Sequence, residues 1–304
     1  MRIVFMGSGA FACPIVRAIH GASAGKLVGV VTQPDRPKGR NRQVAACPVK
    51  EIVAGTGVKI LTPEKIGAAV DELRALAPDL IVVADYGQYI PSSVLAIPPK
   101  RAINVHPSLL PKYRGAAPIQ WAIANGDTKT GVTVQYVAKK MDSGDVLLQQ
   151  EFDIGADDTA ETLEARLAEA GAELVLRAIE EIETGSVHAT PQDEAHATYA
   201  RKLIKDDGRI DWSLPARTIR DRVRGFQPWP GSFCAAQKLK VLAARAEDGS
   251  GSPGTILDIG ADGPLVAAGD GALRLIAVHP EGKKSMSGAD FVRGYRVNVG
   301  DRFG

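Results

Sequence analysis

Short, unbroken apolar runs recur through the first third of the chain: RIVFM at 2–6, KLVGVV at 26–31, a run at 58–61, DLIVVA at 79–84 and another at 101–105. A strand with one wet face alternates apolar and polar residues, so a run without alternation needs cover on both faces. Helix-like stretches separate these runs, and the combination predicts a parallel α/β sheet. GVTVQYV at 131–137 and DVLLQQEFD at 145–153 follow and are expected to pair across the turn AKKMDSG. Over 160–184, Leu163, Leu167, Leu174, Ala178 and Ile182 fall at helical spacing, with Asp158 or Thr159 as N-cap and Gly185 as the stop.

Beyond that helix the character changes, and 304 residues leave room for a second core. Polar residues fill 186–206 and read as a surface linker. A helix over 213–224 carries Arg217, Arg220, Arg222 and Arg224. Short strands at 238–246, 254–259, 264–268 and 272–278, divided by Gly, Asp and Pro, suit a small β-barrel. The predicted organisation is an α/β domain over 1–188, a linker over 189–206 and a β domain over 207–304.

Net charge is only +2, so any polyanionic partner must meet a local basic patch. Aromatics at 5% are too sparse for a surface that stacks single-stranded bases. Cys13, Cys47 and Cys234 are too few and too scattered for a disulfide framework or a zinc site and suit a reducing compartment. No segment approaches the roughly 18 apolar residues of a membrane span, and the first residues lack a signal-peptide pattern. The expected location is cytoplasmic, with no metal and no membrane partner.

Three stretches carry chemistry. GSGAFA (Gly7, Gly9, Ala12) lies between a strand and a helix, as in a dinucleotide fingerprint, but the second strand ends in Thr32 and Gln33 where a ribose-binding acid belongs. Its glycines could equally serve only a tight turn against the helix. The connection 32–48 holds Arg36, Lys38, Arg40 and Arg42 against Asp35 alone and reads either as solvated surface or as a phosphate-gripping arm. In INVHPSLLPKYRG (103–115), Asn104 and His106 stand two apart on a strand, hence on one face, before Pro107 breaks it. Asp142 and Asp145 flank the Ser-Gly turn downstream. An Asn, a His and an Asp can stabilise an oxyanion and move a proton. The one G-x-S-x-G, GASAG at 21–25, precedes a strand and is no candidate strand-to-helix elbow, and H-E-x-x-H does not occur, so covalent-serine and zinc hydrolysis are not expected.

NVHPSLLPKYRGAAPIQWAI followed by MDSGDVL resembles the folate-dependent formyltransferases. TQPDRPKGR, GFQPWPGSF and GKKSMSGADFVRG extend the resemblance in order along nearly the whole chain, toward the branch whose acceptor is an aminoacyl-tRNA. The resemblance implies a Rossmann-like parallel-sheet α/β domain followed by a small OB-like β-barrel. It assigns catalysis to Asn104, His106 and Asp142, folate binding to Ser108, Leu109, Leu110 and Pro111 with Tyr86 and Gly87, and tRNA binding to Arg36, Lys38, Arg40 and Arg42. It further implies 10-formyltetrahydrofolate as the formyl-donating cosubstrate, initiator methionyl-tRNA as the acceptor, no metal, and a monomer. Two positions depart from the pattern: Ala10, where relatives often carry an acid, and Asp85, where a small residue is usual.

On that reading the amine attacks the formyl carbon, Asn104 and His106 donate to the developing oxyanion, and Asp142 supports an imidazolium and relays protons. The competing readings are a formyltransferase for a small amine, a nicotinamide-dependent oxidoreductase built on GSGAFA, and a tRNA-binding module without catalysis. The basic loop and the extra C-terminal domain argue against the first, the missing acid against the second, and the intact trio against the third.

Overall fold

Strands that need cover on both faces end up in the middle of a sheet. The structure, a computed structural model, describes residues 1–22, 27–38 and 43–303. The chain divides into two units by internal contacts, one of residues 1–118, 130–152 and 164–200, the other of 119–129, 153–163 and 201–304.

In the first unit the strands are β1 (Ile3–Met6), β2 (Leu27–Val31), β3 (Arg36–Lys38), β4 (Gln43–Ala45), β5 (Lys59–Leu61), β6 (Leu80–Val83), β7 (Ala102–His106), β8 (Arg114–Gly115), β9 (Lys129–Tyr136), β10 (Val146–Asp153) and β11 (Tyr199–Ala200). A seven-stranded sheet runs β10-β9-β7-β6-β1-β2-β5. The five apolar runs form its parallel part, β5-β2-β1-β6-β7. Every residue of β1 and β6 is buried, as their unalternating sequences require. β9 continues antiparallel to β7, and β10, its expected partner, lies beside it at the edge.

The predicted helix spans Ala160–Thr184, and Leu163, Leu167, Leu174, Ala178 and Ile182 are all buried. Its N-terminus is capped reciprocally: the Thr162 N–H donates to Thr159 Oγ1 at 3.3 Å and the Thr159 N–H to Thr162 Oγ1 at 3.0 Å. The helix stops before Gly185, which takes φ +77°.

Two features go beyond the sequence reading. The basic connection 32–48 contains a two-stranded ribbon, with Arg36 opposite Ala45, Pro37 opposite Val44 and Lys38 opposite Gln43. Arg40 and Arg42 lie outside the described residues. The stretch expected to be a linker is tied to the first unit as far as Ala200. There Thr190 and Val146 exchange backbone bonds of 2.8 Å each way, and β11 pairs parallel with β8. A polar segment satisfies its main chain on strand edges as readily as in water.

The second unit holds the arginine-rich helix, Ala216–Gly225, and an antiparallel sheet of β12 (Ser232–Cys234), β13 (Leu239–Glu247), β14 (Ile256–Gly260), β15 (Gly263–Ala267), β16 (Ala272–Pro280) and β17 (Met286–Ser287). The order is β12-β13-β16-β15-β14, with β17 on β16. Ile219, Val223, Val241, Leu273 and Phe291 meet in its core. Among the described residues no helix is long and apolar enough to cross a membrane.

Leu167 is fully buried, so Leu167→Ala should leave a cavity and cost about 2–5 kcal/mol. The midpoint of chemical denaturation should fall accordingly; an unchanged midpoint would contradict the packing of this helix on the sheet.

Candidate active site

β7 leaves the sheet where its polar residues begin. Asn104 lies opposite Gln135 and His106 opposite Thr133 on β9. Pro107 ends the ladder, and the following turn is pinned from below. Thr133 Oγ1 donates to the Ser108 carbonyl at 2.6 Å and accepts the Leu110 N–H at 3.2 Å. Gln149 Nε2 reaches both the Leu110 carbonyl (3.0 Å) and Thr133 Oγ1 (2.8 Å). Ser108 is itself fully buried and spends its hydroxyl on the Lys112 carbonyl at 2.6 Å. Leu110 is buried too, whereas Leu109 and Pro111 are half-buried.

His106 is 5% exposed, and its Nε2 lies 2.9 Å from the Tyr113 carbonyl. A carbonyl only accepts, so Nε2 carries the hydrogen and Nδ1 is the nitrogen left for proton exchange. Nδ1 faces Asp142 Oδ2 at 3.8 Å, near enough for charge compensation but beyond a hydrogen bond. Asp142 is held at both oxygens, Oδ2 by the Gly115 N–H (2.9 Å) and Oδ1 by Gln135 Nε2 (3.3 Å). Its backbone takes φ +50°, a left-handed conformation that Asp tolerates better than most residues. Asp142 therefore, and not Asp145, stands against the imidazole. Asn104 is half-buried on the same strand face as His106, and its amide bonds to no other described residue.

Tyr86 and Gly87 line a cleft of about 390 Å³ together with Ser8, Gly9, Asp85 and Arg36. They follow β6 just beyond Val83, which pairs with Asn104. Burial pushes the Tyr86 phenol up to about 12, and its hydroxyl has no partner among the described residues. Asp85, at φ +43°, turns its carboxylate onto the glycine loop, where a Cβ on Gly9 would sit 1.6 Å from Oδ2. Asp85 keeps solvent contact, yet the protein atoms crowding it raise its carboxyl above the usual range. The glycine loop thus makes room for Asp85. Thr32 is buried, and Asp35 is engaged by Lys50 at 2.7 Å.

Of the expected tRNA ligands, Arg36 forms an exposed pair with Glu64 at 2.7 Å, a contact worth about 0–1 kcal/mol and easily exchanged. Lys38 lies on β3. The arginine cluster in the second unit is partly consumed by structure. Arg220 and Arg224 both clamp Asp221 Oδ1, at 2.7 and 3.0 Å, and Arg224 also donates to the Gly155 and Asp158 carbonyls. Arg217 remains exposed and Arg222 half-exposed.

Sequence reading overlooked four supporting residues. Thr133 and Gln135, fully buried or nearly so, alternate through β9 and match His106 and Asn104 across the ladder; two polar residues two apart in a buried strand were a usable signal. Arg114, with no exposure, donates to Gln192 Oε1 through Nε (3.0 Å) and Nη2 (2.8 Å), and to Glu194 at 2.7 Å. Gln192 in turn reaches the Asp142 turn. Nothing in the polar stretch around Gln192 advertised this.

The formyl transferase family pattern matches residues 1–179, and that of its C-terminal domain matches 202–296. Methionyl-tRNA formyltransferase of Citrifermentans bemidjiense is 44% identical, covering 100% of this chain and 96% of its own. Among solved structures, WlaRD, a sugar 3N-formyl transferase, aligns with TM-score 0.70 at 17% identity over 93% of this chain and 99% of that one. HypX from Aquifex aeolicus in complex with tetrahydrofolic acid aligns with TM-score 0.64 at 21% identity over 98% of this chain and 48% of that one. The chain belongs to the formyltransferases, and among them to the methionyl-tRNA formyltransferase family.

Because the Asp85 carboxylate occupies the space a Cβ on Gly9 would need but is exposed and can swing aside, Gly9→Ala should destabilise the protein by less than about 1 kcal/mol. Adding Asp85→Ala should restore most of the loss. Denaturation of the two single variants and the double variant measures this, and additive losses would refute the steric account.

Proposed function

We propose that the chain transfers the formyl group of 10-formyltetrahydrofolate to the α-amino group of initiator methionyl-tRNA, giving N-formylmethionyl-tRNA, with Asn104, His106 and Asp142 at the reacting atoms. The observation that carries this reading is the convergence of an uncommitted amide, an imidazole with one nitrogen occupied and a doubly tethered carboxylate where β7 leaves the sheet. Ligands of open α/β sheets gather at the carboxyl ends of the strands. The neighbouring cleft, lined by Tyr86 and Gly87 beside Ser8, Gln33 and Asp85, suits a polar ligand. Ser108, Leu109, Leu110 and Pro111, with Tyr86 and Gly87, would hold the folate, and Ser108 acts by shaping the turn.

Bound folate supplies the activated formyl group. Asn104 donates its amide hydrogen to the formyl oxygen as negative charge builds there. With Nε2 spent on the Tyr113 carbonyl, His106 serves the proton transfer and not, as the sequence suggested, the oxyanion: it accepts the proton of the attacking amine at Nδ1 and returns it toward the leaving nitrogen. Asp142 compensates the charge that the ring carries while it holds that proton. These steps need no covalent intermediate, and the trio comes from one chain, which suits a monomer. Formyl transfer is assigned to 1–188 and tRNA binding to 207–304, with 189–206 linking the two and bracing the site. An aminoacyl-tRNA substrate and free thiols at Cys13, Cys47 and Cys234 suit a cytoplasmic enzyme.

The acceptor is a bulky polyanion, and Arg36, Lys38, Arg40 and Arg42 are suited to guide it. Against Asp35 alone, four cations minus one acid give +3 over 32–48. The deciding assay offers charged initiator methionyl-tRNA, elongator methionyl-tRNA and a free amino sugar as acceptors with the same donor. Preference for the initiator supports the proposal, and preference for the amino sugar refutes it.

Asn104→Ala and His106→Ala should each lower the rate about 100- to 1000-fold while the protein stays folded. Asp142→Asn should be comparably damaging and Asp145→Asn milder. Single-turnover assays on the four variants test this, and a folded Asn104→Ala or His106→Ala that keeps roughly a tenth of the rate contradicts its role.

Arg40→Ala should weaken transfer to methionyl-tRNA with folate affinity little changed, and each lost phosphate contact should flatten the salt dependence of tRNA binding by about one unit of slope. Binding titrations at several salt concentrations measure the slope. Equal slopes for the unaltered protein and for Arg40→Ala, Lys38→Ala and Arg42→Ala would make this loop ordinary surface.

A further inference from the structure

The polar groups behind Asp142 form a chain in which each donor has one possible direction. At one end is the buried guanidinium of Arg114, which can only donate, and its Nε and Nη2 both meet Gln192 Oε1. The orientation of the Gln192 amide follows, so Nε2 faces the Gln135 Oε1 (2.9 Å), the Asp142 carbonyl (2.9 Å) and the Gly144 carbonyl (2.7 Å). With Gln135 Oε1 occupied, Gln135 Nε2 faces Asp142 Oδ1. The far end is a carboxylate, which accepts. Two amides whose flips are ordinarily ambiguous are thus fixed by ends that are not.

We propose that Gln192 is a positioning residue for formyl transfer: it anchors the Asp142–Gly144 turn to Arg114 and so holds the Asp142 carboxylate in line with His106. This rests on the assignment of Asp142 to the reacting site. Gln192 holds Asp142 from two sides, through the main-chain carbonyl and, by way of Gln135, through the carboxylate. The turn gains from such an anchor because Asp142 sits in left-handed backbone, a conformation that Asp adopts at some cost. Glu194 and Lys140 close the outer side: Arg114 and then Lys140 hold the Glu194 carboxyl down at about 2, leaving it ionised against both cations.

Two substitutions separate positioning from bulk stability. Gln192→Leu removes every bond of the link. Gln192→Glu still accepts both bonds from Arg114, so it keeps the buried cation paired, but it turns a second acceptor toward the Asp142 and Gly144 carbonyls. If Gln192 positions Asp142, both variants lose about 100-fold in kcat, the cost of a small misplacement at a reacting centre. Their KM values for the folate donor and for methionyl-tRNA stay within about threefold. The thermal midpoint falls more for Gln192→Leu than for Gln192→Glu. In an Asp142→Asn background, Gln192→Leu then costs less than about threefold more, because the group it positions is already lost.

The assay is steady-state formyl transfer by the full chain with initiator methionyl-tRNA, and the Gln192→Glu result stands even if Gln192→Leu fails to fold. Folded Gln192 variants with unaltered kcat, beside an impaired Asp142→Asn, would overturn the role of Gln192 and leave the trio standing. Losses that multiply fully in the double variant would also overturn it. An active Asp142→Asn would overturn the trio and this proposal together.

Discussion

A guanidinium shut away from solvent must find acceptors inside the protein or cost several kcal/mol, and Arg114 is wholly buried beside the turn that follows β7. Its neighbours meet that demand at Nε and Nη2, while Nη1 finds no partner among the described residues. Gln192 and Glu194 come from a segment nearly 80 residues downstream, and β8 and β11 pair where that segment arrives. The Thr198 hydroxyl accepts the Tyr113 N–H at 2.8 Å, and the Tyr113 carbonyl is the one that fixes His106. Pairing one buried charge therefore draws together the turn that holds the imidazole and the turn that holds the carboxylate.

Much of this was legible in the sequence for one physical reason: strands covered on both faces cannot alternate. RIVFM and DLIVVA could hardly sit anywhere but inside a sheet, and β1 and β6 are buried at every position. Asn104 and His106 were legible because a period of two on a strand that breaks at a proline leaves both on one face at an exit from the sheet. What escaped reading was long-range and polar. Gln192 sits among residues whose composition suits a solvated linker, and its partners lie some 50 to 80 positions away. Hydrogen bonds across such separations leave no local periodicity. Likewise composition shows Arg220 and Arg224 only as members of a basic cluster, whereas the buried Asp221 between them engages both.

The glycine loop shows how a short pattern can hold while its usual purpose does not. Gly7 and Gly9 sit after a strand and before a helix, as a dinucleotide fingerprint would have them. Gly7 is tight for packing reasons, since a Cβ there would meet the Phe5 ring at 2.6 Å and the Ala84 carbonyl at 2.7 Å. Gly9 is small for Asp85. The loop accommodates an acid of its own chain in a place where the fingerprint would admit a pyrophosphate. Two anionic groups would compete for that space, which makes the nicotinamide reading poor on electrostatic grounds as well as for its missing ribose partner.

The anchoring of Thr190, Gln192, Thr198 and Ala200 to the first unit has a consequence for how the molecule is made. Synthesis delivers residues in one order, and domains generally fold from the N-terminus as they emerge. The last strand of the seven-stranded sheet ends at Asp153, yet Arg114 acquires its acceptors only with residues 192 and 194. A nascent chain that has exposed the whole sheet still carries an unpaired cation beside an Asp142 turn that lacks its Gln192 anchor. The ribosome must add a further 40 residues or so before that half of the protein can close its own site.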